Sequence, residues 1–551
     1  MLLIITAWIF LYLIIQGYGF IAKKILSAKD NVTFIEQFWF GLALFLGILQ
    51  LTSLIFPLRN HVFYVLSAIG LLFLLADTIY NPKKYLPTKL TPSISFVVFL
   101  LLSILAAHYA IQDVTWYDTF LYHFNSVRWI HDYPAIPGLA NLHDRLGFNS
   151  VLFLLGAFVD NVFMSGNSVR ITLPFLSVAM VASVLKVLFC QKGNIQQKIF
   201  AVTSILYIIA ILLRGLVNSY STDVASLIFV ILFALYFLAD KQNFRLLILF
   251  VILSVMFKLS AIPILVFLPY LLFKSKKVAN NLLILGILGL GYISRNIIQT
   301  GWPLYPLPIF KLPFDWSVPA NNVRFAANAI KAYTRMPGNN YLESLKMPFL
   351  NWFPIWFEKF FLTIEFKLFV FAIIISFISF SPIITKKYKN FKTISLILYS
   401  LLGLFYVFIT APSVRFASIY FYLFLSCALV PIVSYLYDKN IKHIMLIRKV
   451  LVFNCCKIYP IILLLIFFYL SFNLFKSGPN FITQYIFIKP SLYQTHHVYQ
   501  KMLSNKIDVI YIPDTGNQCG DSPLPCTPYF NINLKYRKSG DIRQGFLLKN
   551  D

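Results

Sequence analysis

Residues 115–150 read TWYDTFLYHFNSVRWIHDYPAIPGLANLHDRLGFNS and form the longest polar, aromatic and histidine-bearing interval in the first half of a chain built mainly of apolar runs. Asp118 is followed four residues later by Tyr122 and then by His123. On a helix the carboxylate and the phenol would share a face, with the imidazole beside them. This spacing predicts an acid–base cluster. The alternative is an interfacial loop whose aromatic rings lie at headgroup depth and whose charges are solvated.

The composition decides the class of protein. Hydrophobic residues make up 59% of the chain and charged residues only 12%, whereas about a quarter of the residues in a soluble domain are charged. The net charge of +27 would suggest nucleic acid in a soluble protein. Here the lysines cluster in short links between apolar runs, which is typical of membrane topology. We therefore expect a polytopic membrane protein with membrane lipids, and no nucleic acid, among its partners.

Apolar runs mark the membrane-spanning helices, each of which needs about 20 mostly apolar residues. Fourteen runs come near this requirement, at 1–22, 35–57, 61–80, 91–110, 168–190, 198–214, 222–239, 244–257, 259–273, 280–297, 363–384, 392–411, 415–437 and 457–475. The first lacks a basic leader and precedes Lys23 and Lys24, so it is predicted to be a retained helix with an outer N-terminus. The predicted fold is an all-α polytopic membrane protein of about 14 transmembrane helices.

Basic residues set the orientation of these helices. The links on one side are bordered by clusters that include Lys23, Lys83, Lys192, Lys241, Lys276, Lys387 and Arg448. The short links on the other side carry one basic residue apiece, at Arg59, Arg214, Lys258 and Arg415. The positive-inside rule then places both termini outside. A crossing at 148–164 would reverse the later links, so we expect that segment to lie on the outer surface.

Three long segments are predicted to lie outside, at 111–167, 298–362 and 476–551. The first should contain two helices lying on the membrane, at 118–132 and 148–162, separated by proline and glycine breakers. One face of the membrane would therefore hold the chemistry.

The outer tail is predicted to form a small α/β domain, because residues 506–513 (KIDVIYIP) alternate as a β-strand does. Cys519 and Cys526 follow, separated by six residues in a proline-rich loop. Outside the membrane the compartment permits oxidation, so we expect a disulfide between them. Two free thiols are the alternative.

Several ionisable residues stand alone at the outer ends of helices, namely Asp223, Lys258, Arg295 and Arg415. The three cations would form a pocket for a lipid-linked phosphate, because guanidinium groups match phosphate oxygens. Lys258 interrupts an apolar run, as the break in a discontinuous helix does. Tyr305 would line the mouth of the same pocket. The alternative is that these side chains snorkel to the headgroups or pair with one another, and that the tyrosine belongs to an aromatic belt.

Five short motifs resemble the polytopic glycosyltransferases of the GT-C type. They are the Asp118 to Tyr122 pattern, the segment 219–223 ending at Asp223, FKLSAIP around Lys258, RNIIQTGWPLYP from Arg295, and PSVRF around Arg415. Thr119 stands where that superfamily has a second acidic residue. The resemblance covers roughly residues 91–437. The tail sequence GNQCGDSPLPCTPY and the run PGLANLHDRLGFNS are similar to a group of uncharacterised bacterial membrane proteins.

This resemblance implies transfer of a sugar from a polyprenyl-phosphate or polyprenyl-pyrophosphate donor to a hydroxyl of a glycan or lipid acceptor. The reaction would occur on the outer face of the bacterial cytoplasmic membrane, as a step in cell-surface glycan synthesis. Asp118 would be the general base, and Asp223 would hold a divalent cation or position the acceptor. Tyr122 and Tyr305 would bind substrate, and His123 would bind the acceptor or orient Asp118. Lys258, Arg295 and Arg415 would stabilise the departing phosphate. The need for a cation stays open.

The predicted organisation has four parts: additional N-terminal helices over 1–90, a GT-C-like core over 91–437, a last helix within 438–475, and the outer domain over 476–551. A transporter or flippase of lipid-linked glycans is the first rival function, because a broken helix hairpin also suits alternating access. A non-catalytic scaffold is the second. A polymerase of glycan repeat units is a neighbouring possibility within the same chemistry.

Overall fold

The computed structural model describes residues 1–26, 32–85, 94–114, 116–161, 165–189, 194–275, 278–338, 341–381, 390–439, 498–502 and 509–548. The described part is mostly helical, with two small antiparallel sheets near the C-terminus. The predicted helix at 457–475 and the cysteines at 190, 455 and 456 lie outside the described residues.

Seven helices of the described part are long and apolar enough to cross a membrane. They are Leu2–Ile25, Phe34–Ile55, His61–Tyr80, Ser168–Phe189, Ile195–Leu213, Phe391–Thr410 and Val414–Asp438. The helices Phe349–Phe361 and Ile364–Phe380 would together make an eighth span, although they meet at a bend of 88°. These findings confirm the helical class and support a membrane protein.

The remaining predicted spans before residue 438 also coincide with helices, namely Ile94–Ala110, Thr222–Phe237, Phe244–Phe257, Leu268–Lys274, Val278–Thr300 and Ile364–Phe380. Most of them are shorter than a full crossing requires. The total of 14 crossings therefore stays a prediction. Shorter elements complete the helical part: the turns Pro82–Tyr85, Leu139–Leu142, Asp144–Gly147, Leu259–Phe267 and Tyr341–Leu345, the helix Ala320–Arg335, and the outer-loop helices described next.

The described part of the segment 111–167, which we call the first outer loop after its predicted position, folds back into the helical bundle. A π-helical turn at Thr119–His123 leads into the helix Phe124–Asp132, so the predicted segment 118–132 is helical, although most of its residues are buried. The second predicted surface helix is corrected by the structure, because Val151–Val159 is buried along its whole length. Its sequence VLFLLGAFV is apolar on every side, and a helix of that kind is stable only when it is surrounded by other apolar elements.

The apolar run around Lys258 is broken where the sequence indicates. The helix Phe244–Phe257 ends one residue before Lys258, whose backbone is extended. The tight helix Leu259–Phe267, which contains Pro263, follows, and Leu268–Lys274 completes the hairpin. The lysine is thereby left at the junction of two short helices.

The C-terminal region forms two hairpins, Val498–Met502 with Val509–Pro513 and Leu534–Tyr536 with Phe546–Leu548. The predicted strand is confirmed within Val509–Pro513. Only a short turn at Ile542–Gln544 is helical here, so the described tail is a β-structure. Cys519 and Cys526 are joined by a disulfide, with their Cα atoms 6.0 Å apart.

Candidate functional site

Five charged side chains form one continuous network, which we call the charged cluster: Arg145, Asp118, Arg415, Asp223 and Lys258. Asp118 accepts from Arg145 Nη1 at 3.3 Å through one oxygen and from Arg415 Nη1 at 2.9 Å through the other. Arg415 Nε lies 3.0 Å from Asp223, whose second oxygen lies 3.3 Å from Lys258 Nζ. Three cations and two carboxylates leave one positive charge on the cluster.

Each member stands at the end of a helical element, which is why residues far apart in sequence meet. Asp223 lies in the first turn of Thr222–Phe237, where the helix dipole favours a carboxylate. Arg415 lies in the first turn of Val414–Asp438, capped by the Ser413 hydroxyl. Asp118 directly precedes the π-helical turn, and Arg145 lies in the turn Asp144–Gly147. The cluster therefore occupies one end of the bundle.

The cluster is enclosed but remains accessible. The side chains of Asp118 and Asp223 are 18% and 12% exposed, and that of Arg415 is 30% exposed. The guanidinium of Arg415 also lies over the rings of Trp116, at 4.7 Å, and Phe416, at 5.1 Å. Cation–π contacts of this kind hold a cation in place without neutralising it. The cations can therefore still bind an anionic ligand.

The Asp118 carboxylate is ionised at neutral pH. Burial raises its pKa, but the neighbouring charges of Arg415 and Arg145 outweigh burial and hold the pKa below its ordinary value. Both carboxylate oxygens are engaged by arginines. The two guanidinium groups therefore keep Asp118 a weak base as long as they stay in contact with it.

His123 is a neutral, buried imidazole beside the cluster. Its side chain packs against the rings of Tyr122, at 4.2 Å, and Phe153, at 5.4 Å, and only 3% of the residue is exposed. Burial lowers its pKa to about 3 despite the attraction of Asp118. Neither ring nitrogen has a hydrogen-bond partner within the described part of the chain. Buried polar atoms usually have one, so these nitrogens are suited to a ligand or an ordered water.

Tyr122 lines the same site. The Arg145 guanidinium lies 5.8 Å from its ring centre. Burial, with the charge of Asp118 added, raises the pKa of the Tyr122 phenol. The hydroxyl therefore stays protonated and can donate a hydrogen bond.

Arg295 does not join the charged cluster, contrary to the predicted pocket of three cations. Its side chain is buried and donates to the Ser53 hydroxyl at 2.8 Å and to the Ser53 carbonyl at 3.5 Å. Ser53 lies in the last turn of Phe34–Ile55, where carbonyl groups lack helical donors and attract cations. Among the described residues Arg295 has no carboxylate at ion-pair distance. Its guanidinium instead stabilises the C-terminal end of the helix Phe34–Ile55.

Tyr305 lies on the Arg145 side of the site. Its ring is buried and packs 5.8 Å from the ring centre of Phe148. The charges of Asp144 and Arg145 act on its hydroxyl, and burial raises its pKa well above the ordinary value. The hydroxyl has no hydrogen-bond partner among the residues that the structure describes.

Arg145 is the member of the cluster that sequence reasoning missed. It lies within the quoted interval 115–150 but 27 residues beyond Asp118, so helical spacing gives no reason to pair the two. The one available signal was that Arg145 is one of only two arginines in the interval 115–150. The structure places Arg145 where the sequence predicted Arg295.

The C-terminal tail holds the segment that carries Asp118. The Gln518 amide donates to the Tyr117 carbonyl at 2.8 Å, and the Gly520 N–H donates to the Phe120 carbonyl at 3.0 Å. These two bonds flank Asp118 on either side. The ring of Tyr529, also from the tail, lies 5.6 Å from that of His143. The disulfide-closed loop is therefore part of the wall of the site.

The residues present do not fit a resident metal ion. Across the described ranges, no group of three or more histidine, cysteine, aspartate or glutamate side chains is arranged to hold one. The two carboxylates of the cluster are bridged by Arg415, whose positive charge occupies the position that a shared cation would take.

The protein family described as Domain of unknown function (DUF8201) matches residues 1–422. The match includes all five members of the charged cluster and also the N-terminal helices. No curated protein and no solved structure matches the chain.

Proposed function

We propose that this chain, which belongs to the DUF8201 family, is a membrane glycosyltransferase. It would transfer a sugar from a polyprenyl-phosphate or polyprenyl-pyrophosphate donor to an acceptor hydroxyl at the outer face of the bacterial cytoplasmic membrane. The observation that carries the proposal is the charged cluster, in which an ionised carboxylate and three cations meet at one end of the helical bundle.

The cations of the cluster suit a phosphate group. Arg145, Lys258 and Arg415 exceed the two carboxylates by one positive charge, and all three side chains are partly exposed. Arginine can meet two phosphate oxygens at once, and lysine adds a compact charge. A phosphate leaving the sugar gains negative charge in the transition state, and fixed cations stabilise that charge most.

Donor binding and activation of the base would be linked through the arginines. A phosphate that binds Arg145 and Arg415 competes with Asp118 for the same guanidinium groups. Loss of these contacts raises the pKa of Asp118 and makes the carboxylate a stronger base. The base would therefore become active only when the donor is bound.

The transfer step follows from this arrangement. Asp118 accepts the proton of the acceptor hydroxyl while the acceptor oxygen forms a bond to the anomeric carbon. The bond from that carbon to the phosphate oxygen breaks, and the phosphate leaves with the electron pair. Attack opposite the leaving group inverts the anomeric configuration. General-base catalysis of this kind contributes about 10² to 10⁴-fold.

The remaining site residues would orient the substrates. The unpaired nitrogens of His123 can bind a sugar or acceptor hydroxyl, and the protonated phenol of Tyr122 can donate to one. Asp223 holds Lys258 and Arg415 in place through both of its oxygens. It is therefore a positioning residue for the cations that bind phosphate.

The test compares wild type with Asp118→Asn, purified at equal yield, on polyprenyl-linked glycans extracted from the native host. Asn keeps the size of the side chain but cannot act as a base. We expect the wild type to consume the lipid-linked donor and release carrier phosphate, and the variant to lose at least about 100-fold in rate. The matched control is Asp514→Asn, which changes an exposed carboxylate of the tail and should retain full activity.

A different result would favour transport. If both proteins leave the glycan pool chemically unchanged but move labelled lipid across liposomes, the enzyme proposal is overturned in favour of a flippase. If Asp118→Asn and Asp514→Asn match the wild type in glycosyl transfer, Asp118 is not the base.

A further inference from the structure

We infer that a basic pocket at the opposite end of the bundle binds the phosphate headgroup of an anionic phospholipid. The pocket has a volume of about 730 Å³, and its lining includes Lys23, Thr33, Phe34, Tyr80, Asn81 and Lys84. It lies in the N-terminal helices and shares no residue with the charged cluster. The inference is independent of the proposed glycosyl transfer.

The position of the pocket follows from the helix Phe34–Ile55. Near its C-terminal end the Ser53 carbonyl accepts from the Ala135 N–H of the first outer loop at 2.9 Å. The pocket surrounds its other end, at Thr33 and Phe34. A helix of 22 residues is about 33 Å long, so the pocket and the outer loop are separated by the thickness of a membrane. The pocket therefore opens at the face where lysine-rich links cluster.

The charges around the pocket favour an anion. Lys23 is half-buried and has no ion-pair partner among the described residues. Lys84 lies 2.6 Å from the buried carboxylate of Asp77, and the amide of Gln37 donates to the same carboxylate at 2.8 Å. This network fixes Lys84 at the floor of the pocket. Lys23 is then the cation left to bind a ligand.

The other carboxylate nearby is already engaged. Glu36 accepts from the backbone N–H and the hydroxyl of Thr33, both at 2.9 Å, in the cap of its helix. Its side chain also lies 3.9 Å from Lys186. Glu36 therefore does not neutralise Lys23. The Asn81 amide donates to Asp77 at 2.8 Å and has a second N–H that suits a phosphate oxygen.

The surroundings indicate a lipid in preference to a free anion. The pocket borders the helix His61–Tyr80, which is the least buried of the candidate spans. Large apolar side chains along its outer face are exposed, including Leu72, Leu75 and Ile79, at 62%, 56% and 67%. Tyr80, at the pocket itself, is 73% exposed. Acyl chains can lie along this face while the headgroup phosphate reaches Lys23.

The experiment measures lipid retention by the full chain purified in detergent. Protein is exchanged with phosphatidylglycerol or phosphatidylcholine and examined by native mass spectrometry, with a parallel thermal unfolding series. We expect selective retention of phosphatidylglycerol by the wild type, and an affinity about fivefold lower in Lys23→Gln. Lys23→Arg keeps the charge and should retain the lipid. Lys241→Gln, an exposed lysine in another link, is the matched control and should behave as wild type.

Three outcomes would overturn the inference. Equal phosphatidylglycerol retention by Lys23→Gln and Lys241→Gln would place the lipid elsewhere. Equal retention of phosphatidylcholine would show that an anionic headgroup is not recognised. Thermal stabilisation by inorganic phosphate alone, at the concentration of the lipid phosphate, would identify a site for a free anion. Glycosyl transfer is measured on the other face, so either proposal can fail without the other.

Discussion

Arg415 is the side chain that unites the candidate site. Its Nη1 atom meets Asp118 and its Nε atom meets Asp223, so one planar group bridges two carboxylates from different helical elements. Lysine carries a single nitrogen and cannot make both contacts with the same geometry. The identity of this cation therefore matters more than its charge.

Arg415→Lys should weaken the site without removing its charge. The loss of one charge-assisted hydrogen bond reduces transition-state stabilisation by about 1.5–3 kcal/mol. This corresponds to about a 10- to 100-fold lower kcat/KM for glycosyl transfer. Steady-state kinetics on the lipid-linked donor measure this loss. Arg59→Lys changes an exposed ion pair with Asp132 and should leave the rate unchanged. Equal rates in the two variants would contradict the bridging role.

His123 should make the folded protein sensitive to acid. Burial lowers its pKa from 6.5 to about 3, so between these values the unfolded chain binds a proton that the folded chain does not. Stability is therefore highest above about pH 6.5 and falls as the pH is lowered toward 3. Between pH 4.5 and 6.5 we expect the unfolding temperature of His123→Gln to change less with pH than that of the wild type.

Thermal unfolding in detergent across this pH range measures the difference. His61→Gln replaces an exposed histidine and should keep the wild-type pH dependence. If His123→Gln and wild type lose the same stability over this range, the imidazole is not buried in its neutral form.

The tail and the first outer loop form one structural unit around Asp118. The tail contributes hydrogen bonds to Tyr117 and Phe120, and the Phe546 N–H donates to the Pro137 carbonyl at 3.0 Å. Arg128 in the loop donates to the Ser522 carbonyl. The disulfide loop of the tail therefore holds the backbone that carries the predicted base.

Removal of the disulfide should release this unit. A bridge that closes a loop with a sequence separation of seven residues stabilises the region by about 2.5 kcal/mol through the entropy of the unfolded state. In the double variant Cys519→Ser/Cys526→Ser we expect faster hydrogen exchange in 509–548 and lower glycosyl transfer. Hydrogen exchange followed by mass spectrometry measures the first effect.

The matched control replaces Cys427, a buried free cysteine within the helix Val414–Asp438, by alanine, and should leave exchange in 509–548 unchanged. Faster exchange in the double variant with full activity would mean that the tail does not position Asp118. Unchanged exchange would mean that other contacts hold the tail.

The molecule has two chemically different ends. The charged cluster and the tail lie at one end of the bundle, and the basic pocket lies at the other. The N-terminal helices between them pack closely, since a methyl group at Gly17 would overlap the Gly70 carbonyl. Small residues allow such close approach of helices in membranes. The two ends are therefore held apart by a rigid helical unit.

Labelling from outside the cell should separate the two ends. We expect a membrane-impermeant maleimide to label Asp514→Cys in intact cells, and to label Lys241→Cys only after the membrane is opened, because lysine-rich links face the cytoplasm. The measurement is the maleimide labelling rate of each variant after subtraction of the rate for the parent protein. Labelling of Lys241→Cys in intact cells would reverse the predicted orientation.

Local sequence patterns were sufficient to predict the helical class, the helices at the apolar runs before residue 438, the break at Lys258 and the strand before the paired cysteines. These features depend on apolar length, proline and alternation, which act over neighbouring residues. Three features follow from the arrangement of the helices in space. Arg145 forms an ion pair with Asp118, whereas Arg295 binds the end of a helix. The helix Val151–Val159 is buried, and the tail encloses the site. These features depend on which helix ends lie next to each other in space. The residues involved are separated by tens to hundreds of positions, so no local sequence pattern predicts their contacts.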